Sequence, residues 1–220
     1  MATNEIYLHS YVYGSFSVRV PMGCSLVVEW GNGGVEHRVS RRGWESFSRN
    51  YPHEDSIYGN YTVYCTHVYA EDDAPILGFD CGRSIGYVSD SEINERVDTS
   101  HCSSLLELSC TVEKSPDLSG NPLLKKLSCN NSRFETLDVS HNPMLEKLSC
   151  YSCGYLTKLN LSRNAALREL NIAFTGVKKL GLSNLSALQR VDYQYSHLDA
   201  KSEEYLLRII RQNEGTVAKD

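Results

Sequence analysis

From Ile76 onward one pattern of apolar and polar positions, L-x-x-L-x-[C/L/V/I], returns again and again in register. It occurs as Ile76/Phe79/Cys81, Leu105/Leu108/Cys110, Leu124/Leu127/Cys129 and Phe134/Leu137/Val139. It continues as Leu145/Leu148/Cys150, Leu156/Leu159/Leu161, Leu167/Leu170/Ile172, Val177/Leu180/Leu182 and Leu188/Val191/Tyr193. Between Leu124 and Leu188 the first positions step by 10, 11, 11, 11, 10 and 11 residues, so two unlike half-units make a coil of 21 or 22. One half reads LxxLSC and the other LxxLDVSxNP. Degraded copies lie at Pro116–Pro122 and Val97–Ser100, and GRSIGYVSDS (82–91) reads as an insertion that lengthens the first coil.

A coil of this size cannot bury its own apolar face, so stacked coils must share one continuous core. Side chains alternate across a strand, which turns the second Leu and the Cys, Val or Ile two residues later inward and the residue between them outward. Neighbouring coils then pair as parallel strands. After each strand the chain turns inward and buries backbone groups that need partners. Asn121, Asn142 and Asn164 each stand three residues after an inward side chain (Leu118, Val139, Leu161) and are predicted to supply them.

Residues 1–75 carry a different period. Tyr, Val and Phe alternate with polar residues in 6–20, 25–30 and 61–70, which predicts short strands in an antiparallel sandwich. The Gly31–Asn32–Gly33 run predicts a hairpin turn. Because Ile76–Cys81 is already a repeat strand, the sandwich should feed directly into the solenoid and cap its first coil. At the other end Ser202–Arg211 predicts a capping helix, Ser202 as N-cap, with Tyr205, Leu206, Ile209 and Ile210 on one apolar face. The fold class expected is mainly β: a sandwich (1–75), a solenoid (76–200) and a helical cap (201–220).

The repeat resembles the nested bacterial leucine-rich repeats sometimes called the IRREKO type, over about residues 76–193. Val28–Gly33 (VEWGNG) and Tyr58–Val63 (YGNYTV) resemble two motifs of PKD-like immunoglobulin domains, with Glu29 and Asn32 in place of the usual aspartates. This resemblance implies that Trp30 anchors the core and that Tyr61 packs at the penultimate strand. The resemblance of the repeat implies a non-enzymatic recognition protein of the kind often attached to bacterial surfaces.

Charge and chemistry change this picture little. The net charge is −5, and residues 1–75 hold nine acidic side chains against five basic ones, all arginine. A mildly acidic chain without a basic block is a poor nucleic-acid ligand, so no nucleic acid is expected as a partner. No stretch reaches the length of a membrane helix, so no membrane insertion is expected. The start shows no signal peptide, which points to the cytoplasm, or to the cell surface if an upstream export signal has been removed. Of eight cysteines, Cys81, Cys110, Cys129 and Cys150 occupy the inward third position, and Cys102 and Cys153 the asparagine position. Buried free Cys behaves as a small hydrophobe, and a second CxxC with zinc-site spacing is absent. Asp98, Asp117 and Asp138 form an outward column that Asn160 and Gly181 continue without charge. It is read as side chains bonding the following turn, with a cation column as the alternative.

No catalytic motif, cofactor site or metal site is expected. The candidate partner-binding face is the outward side of the LSC half-units: Glu107, Ser109, Lys126, Ser128, Lys147, Ser149, Glu169, Asn171, Arg190 and Asp192. The expected function is a monomeric protein-interaction or adhesion module for a protein or glycan. The alternatives are a thiol- or metal-dependent hydrolase using Cys102 or the Cys150/Cys153 pair, and a structural spacer.

Overall fold

The structure is a computed structural model and describes residues 4–10, 13–50, 64–82, 96–181 and 185–218. Six strands precede the repeats: β1 (Glu5–Ser10), β2 (Tyr13–Arg19), β3 (Ser25–Glu29), β4 (Val35–Val39), β5 (Trp44–Asn50) and β6 (Tyr64–Ala70). The repeat strands are β7 (Gly78–Cys81), β8 (Arg96–Asp98), β9 (Glu107–Cys110), β10 (Lys126–Ser128), β11 (Thr136–Asp138), β12 (Lys147–Ser149), β13 (Lys158–Asn160), β14 (Glu169–Asn171) and β15 (Arg190–Asp192). Helix α1 (Ala200–Gln212) and strand β16 (Thr216–Ala218) close the described chain. The YGNYTV motif with Tyr61, most of the 82–91 insertion, and Leu182 lie outside the described residues.

The fold is an antiparallel sandwich followed by a leucine-rich-repeat-type solenoid. One sheet runs β4-β3-β6-β1-β8, and the other runs β16-β15-β14-β12-β10-β9-β7-β2-β5. Both sheets cross from sandwich to solenoid: β2 pairs antiparallel with β7, and β1 pairs antiparallel with β8. The first repeat coil therefore has no bare edge toward the sandwich, which is the cap that the direct join predicts. Ile6, Leu8, Val18, Val28, Trp30 and Val68 fill the sandwich, and Phe16 stacks on Phe47 and Phe79 at 5.5 and 5.3 Å. Phe79 belongs to the first repeat, so sandwich and solenoid share one core. The β3–β4 hairpin closes on Trp30–Gly34 with Gly33 at φ +90°, a backbone state that glycine adopts without a Cβ clash.

The ladder register repeats the sequence register without slippage. Phe79, Leu108, Leu127, Leu148, Leu170, Val191 and Val217 are successive Cα partners, all but Val217 buried. The other half-units make a shorter second column, with β11 and β13 paired and a single bridge from Leu159 to Leu180.

The inward turns show what holds the coils. Asn121 Nδ2 donates to the carbonyls of Thr99 and Cys102 at 2.9 and 2.8 Å. Asn142 Nδ2 donates to Leu118 and Asn121, and Asn164 Nδ2 to Val139 and Asn142, at 2.9 to 3.0 Å. All three asparagines are fully buried. The cysteines expected at the same position do the same work: Cys153 Sγ donates to Cys129 O at 2.9 Å, and Cys102 Sγ lies 3.5 Å from Ile76 O.

The C-terminal cap differs from its sequence expectation in one detail. The helix N-cap is Asp199, whose carboxylate accepts the Ser202 amide at 2.9 Å. Ser202 is buried, and its hydroxyl instead accepts the Leu180 amide, a donor at the end of the second column. Leu206 and Ile210 are buried on the last coil, with Tyr205 and Ile209 partly buried beside them. Strand β16, which no periodicity announces, then pairs parallel with β15.

Replacing Asn142 with Ala removes one of two donors from each of two carbonyls, which keep only the amides of Asn121 and Leu124. Each lost hydrogen bond is worth about 0.5–1.5 kcal/mol net, so N142A should lower the unfolding free energy by about 1–3 kcal/mol. Urea denaturation measures this, and a change below about 1 kcal/mol would contradict the ladder's role.

Candidate interaction face

The register lays the outward side chains of the long sheet in two rows. Glu107, Lys126, Lys147, Glu169 and Arg190 form one, continued by Thr216. Asp80, Ser109, Ser128, Ser149, Asn171 and Asp192 form the other. All ten residues of the predicted face line a single groove of about 610 Å³. Their inward neighbours are the buried Leu and Val of the same strands, so the core holds the backbone while the rows stay free to vary.

The long basic side chains of the groove rest on glutamates, while Asp80 and Asp192 accept the amides of Gly82 and Gln194. Glu107 receives Arg19 at 3.1 Å and Lys126 at 3.0 Å, and Glu169 receives Lys147 at 2.7 Å and Arg190 at 3.5 Å. Lys126 and Lys147 are direct cross-strand partners, a repulsive pairing, and each bends away to its own glutamate. Such exposed pairs contribute little stability, typically below about 1 kcal/mol each. Their effect here is positional: they set long flexible side chains before any partner arrives.

Three features of this face escape the repeat pattern. Arg19 and Trp44 enter its N-terminal end from the sandwich, with the guanidinium 5.8 Å from the indole centroid. Trp44 rests over Gly78, the slot that Glu107 and Lys126 fill in later coils; a Cβ there would come within 2.9 Å of the indole. Pairing of β2 with β5 and β7 brings these residues in, and long-range pairing leaves no local mark. The third feature is an exposed aromatic ridge at the strand ends, where Tyr151 meets Phe174 edge-on at 5.4 Å and Phe174 stacks on Tyr195 at 4.6 Å. Phe174 and Tyr195 have φ of +57° and +55°, a left-handed turn position that Asn131 and Ser152 occupy in earlier coils. Asn adopts this state readily, whereas a bulky aromatic pays about 1–2 kcal/mol. An aromatic two residues after the inward third position is the signal that would have revealed the ridge.

The chemistry considered for the other side chains resolves differently. The aspartate column bonds the following turn: Asp98, Asp117 and Asp138 accept the amides of Ser100, Ser119 and Ser140 at 2.9 to 3.0 Å. Asn160 does the same to Ser162. Partial burial of Asp98 opposes its ionisation, but the Ser100 bonds prevail and its pKa is lowered. The Ser119 and Ser140 bonds likewise hold Asp117 and Asp138 below the usual range. Among the described residues no group of three His, Cys, Asp or Glu could hold a metal ion, and no helix is long and apolar enough to cross a membrane.

The repeat cysteines are buried free thiols, and Cys110 and Cys129 lie 3.6 Å apart. Burial pushes Cys102 and Cys153 up to about 12 and raises Cys81 and Cys150 well above the ordinary thiol range. The Cys110 contact, then burial, does the same to Cys129. Protonated, enclosed thiols are poor nucleophiles. The sandwich adds a pair that the sequence does not announce, Cys65 Sγ 3.8 Å from His9 Nε2 across β1 and β6. Burial and Asp98 outweigh Arg96 there and raise the thiol rather than activate it.

No family model matches the chain, and no curated protein matches it. Among solved structures it is similar to one described as the functional domain of InlJ from Listeria monocytogenes, which includes a cysteine ladder. The match has 25% identity and a TM-score of 0.46, and covers 61% of this chain and 30% of that one.

Two measurements follow from these environments. In the native protein a water-soluble disulfide reagent at mildly alkaline pH should modify only Cys24 and Cys65 promptly, and all eight thiols after denaturation; prompt reaction of Cys102 or Cys153 would reopen a thiol mechanism. The depressed carboxyls stabilise the fold fully above the unfolded-state pKa near ~4 and lose that contribution as pH falls through their folded values. D117N/D138N should therefore keep the neutral-pH melting temperature and flatten its decline between about pH 5 and pH 2. An unchanged acid limb would show that these turns do not sense protonation.

Proposed function

We propose that this chain is a non-enzymatic interaction module that binds a protein or glycan partner through the outward side of its long parallel ladder. The observation that carries the reading is the convergence of all ten outward residues on one groove whose lysines and arginine already rest on glutamates. A surface set in advance loses less side-chain entropy when it docks. The aromatic ridge supports the same reading, since exposed Tyr and Phe held by their neighbours are the usual anchors of an interface. The strain at Phe174 and Tyr195 has no counterpart gain in the core, which favours a role outside it.

The domain scheme expected above, a PKD-like sandwich over 1–75, repeats over 76–200 and a cap over 201–220, is part of this proposal. The pairing of β2 with β5 in one sheet and β3 with β6 in the other supports an immunoglobulin-type sandwich. Glu29, at the position of a usual PKD aspartate, contacts His67 at 3.1 Å and Tyr69 at 3.3 Å across the sheet. Against the hydrolase alternative stand the burial and protonation of Cys102, Cys150 and Cys153.

The test compares partners retained by the immobilised wild-type chain with those retained by K126S/K147S/R190S and by F174A/Y195A. Each variant should lower retention of a specific partner by about thirtyfold, the loss of an interface anchor of roughly 2 kcal/mol. Thermal melting should shift by only a few degrees. Retention of every partner by both variants would refute this face as the binding surface.

A further inference from the structure

The second strand column presents a separate face. Thr136, Lys158 and Lys179 follow one another in its first outward row, with Lys178 beside Lys179 and Asp138 and Asn160 in the next row. These residues line a trough of about 700 Å³ together with the hydroxyls of Ser140 and Thr157. Lys158, Lys178 and Lys179 are all exposed.

Its electrostatics differ from those of the long ladder. There the lysines and arginines rest on Glu107 and Glu169. Here, among the described residues, no carboxylate forms an ion pair with Lys158, Lys178 or Lys179. The aspartate column also ends where the lysines enter: Asp117 and Asp138 give way to Asn160 and Gly181. The column thus changes from acidic, with Glu135 and Asp138, to basic within two coils. Among the described residues Asp138 is the one carboxylate lining the trough, an ionised group with one oxygen on the Ser140 amide, against three lysines. Adjacent coils lie about 4.8 Å apart, so the lysines hold like charges at that order of spacing, offset only by Asp138 and by Asp199, which attracts Lys179 without forming an ion pair.

We propose that the C-terminal half of this second face binds an anionic polysaccharide. Its acidic groups would sit on Lys158, Lys178 and Lys179, and its hydroxyls on Thr136 and Asn160. Lysines supply point charges without the planar fork of arginine, which suits negative groups of varied geometry. The uncharged hydroxyls and amide between them match a polyol. No aromatic residue lines the trough, so it lacks the stacking platform that single-stranded nucleic acids use. The proposal concerns a different face from the ladder groove and stands independently of it.

The full chain is titrated with dextran sulfate, alginate, neutral dextran and oligo(dT) at low and physiological salt. Binding to dextran sulfate or alginate, absent with dextran, is expected, and the stronger of the two identifies sulfate or carboxylate as the acidic group. K158Q/K178Q/K179Q should weaken it at least tenfold and reduce its salt dependence, whereas K126Q/K147Q should leave it unchanged. Three results would overturn the proposal: no binding to either acidic polymer, loss of binding in K126Q/K147Q but not in the triple variant, or equal or tighter binding of oligo(dT). Because all five lysines are exposed, melting temperatures within a few degrees of wild type are expected for both variants.

Discussion

Twice in each coil the backbone turns inward and carries peptide groups to where water cannot reach them, and every other feature of the solenoid is arranged around that demand. Along one side the solution is asparagine, whose single amide nitrogen bridges two carbonyls of the preceding coil, as Asn142 bridges Leu118 and Asn121. Along the other side shorter groups suffice. Ser132 accepts the Val112 amide, Cys153 donates to Cys129 O, and Thr175 and Ser196 each close on a carbonyl three residues back. The difference between the half-units, NP turns on one side and Ser, Cys or Thr on the other, is the mark of two backbone geometries with two different donors.

Satisfying the inward turns from inside leaves the first outward row, Glu107 to Arg190, unconstrained, while Asx side chains in the next row accept the amides of the following turns. Lys126, Lys147 and Glu169 in that first row have no part in the ladder or the core, so the solenoid tolerates glutamate or lysine there with little effect on stability. The same scaffold can therefore present a face whose basic side chains rest on glutamates on one column and a basic one without ion pairs on the other. Exposed rings at a strained backbone position are the exception, because they work against the turn that carries them.

What could be read from the chain follows the range of the forces involved. Inward Leu and Cys positions, the asparagine donors and the aspartate turns are local and periodic, so each was legible from spacing, as was the outward face from Glu107 to Asp192. The helix was legible from its apolar face, but its cap was not. Spacing points to Ser202 as the cap, but its hydroxyl takes the Leu180 amide and Asp199 caps the helix instead. Trp44 over Gly78, the β2–β7 junction and strand β16 depend on pairings between segments far apart in sequence. No local period encodes these.

The junction explains why such a short array can stand. A solenoid ends in an apolar cross-section and a row of unpaired backbone groups, and each bare end is a template for another chain. Here both sheets of the sandwich continue into repeat strands, through β2 to β7 and through β1 to β8, and Phe79 stacks directly on Phe16. At the far end α1 covers the last coil while β16 extends the ladder. The sandwich is consequently part of the repeat's core rather than a tethered neighbour. Through Arg19 and Trp44 it also contributes side chains to the groove, so an alteration in the sandwich that shifted β2 or β5 would reshape the outward face of coils it does not otherwise touch.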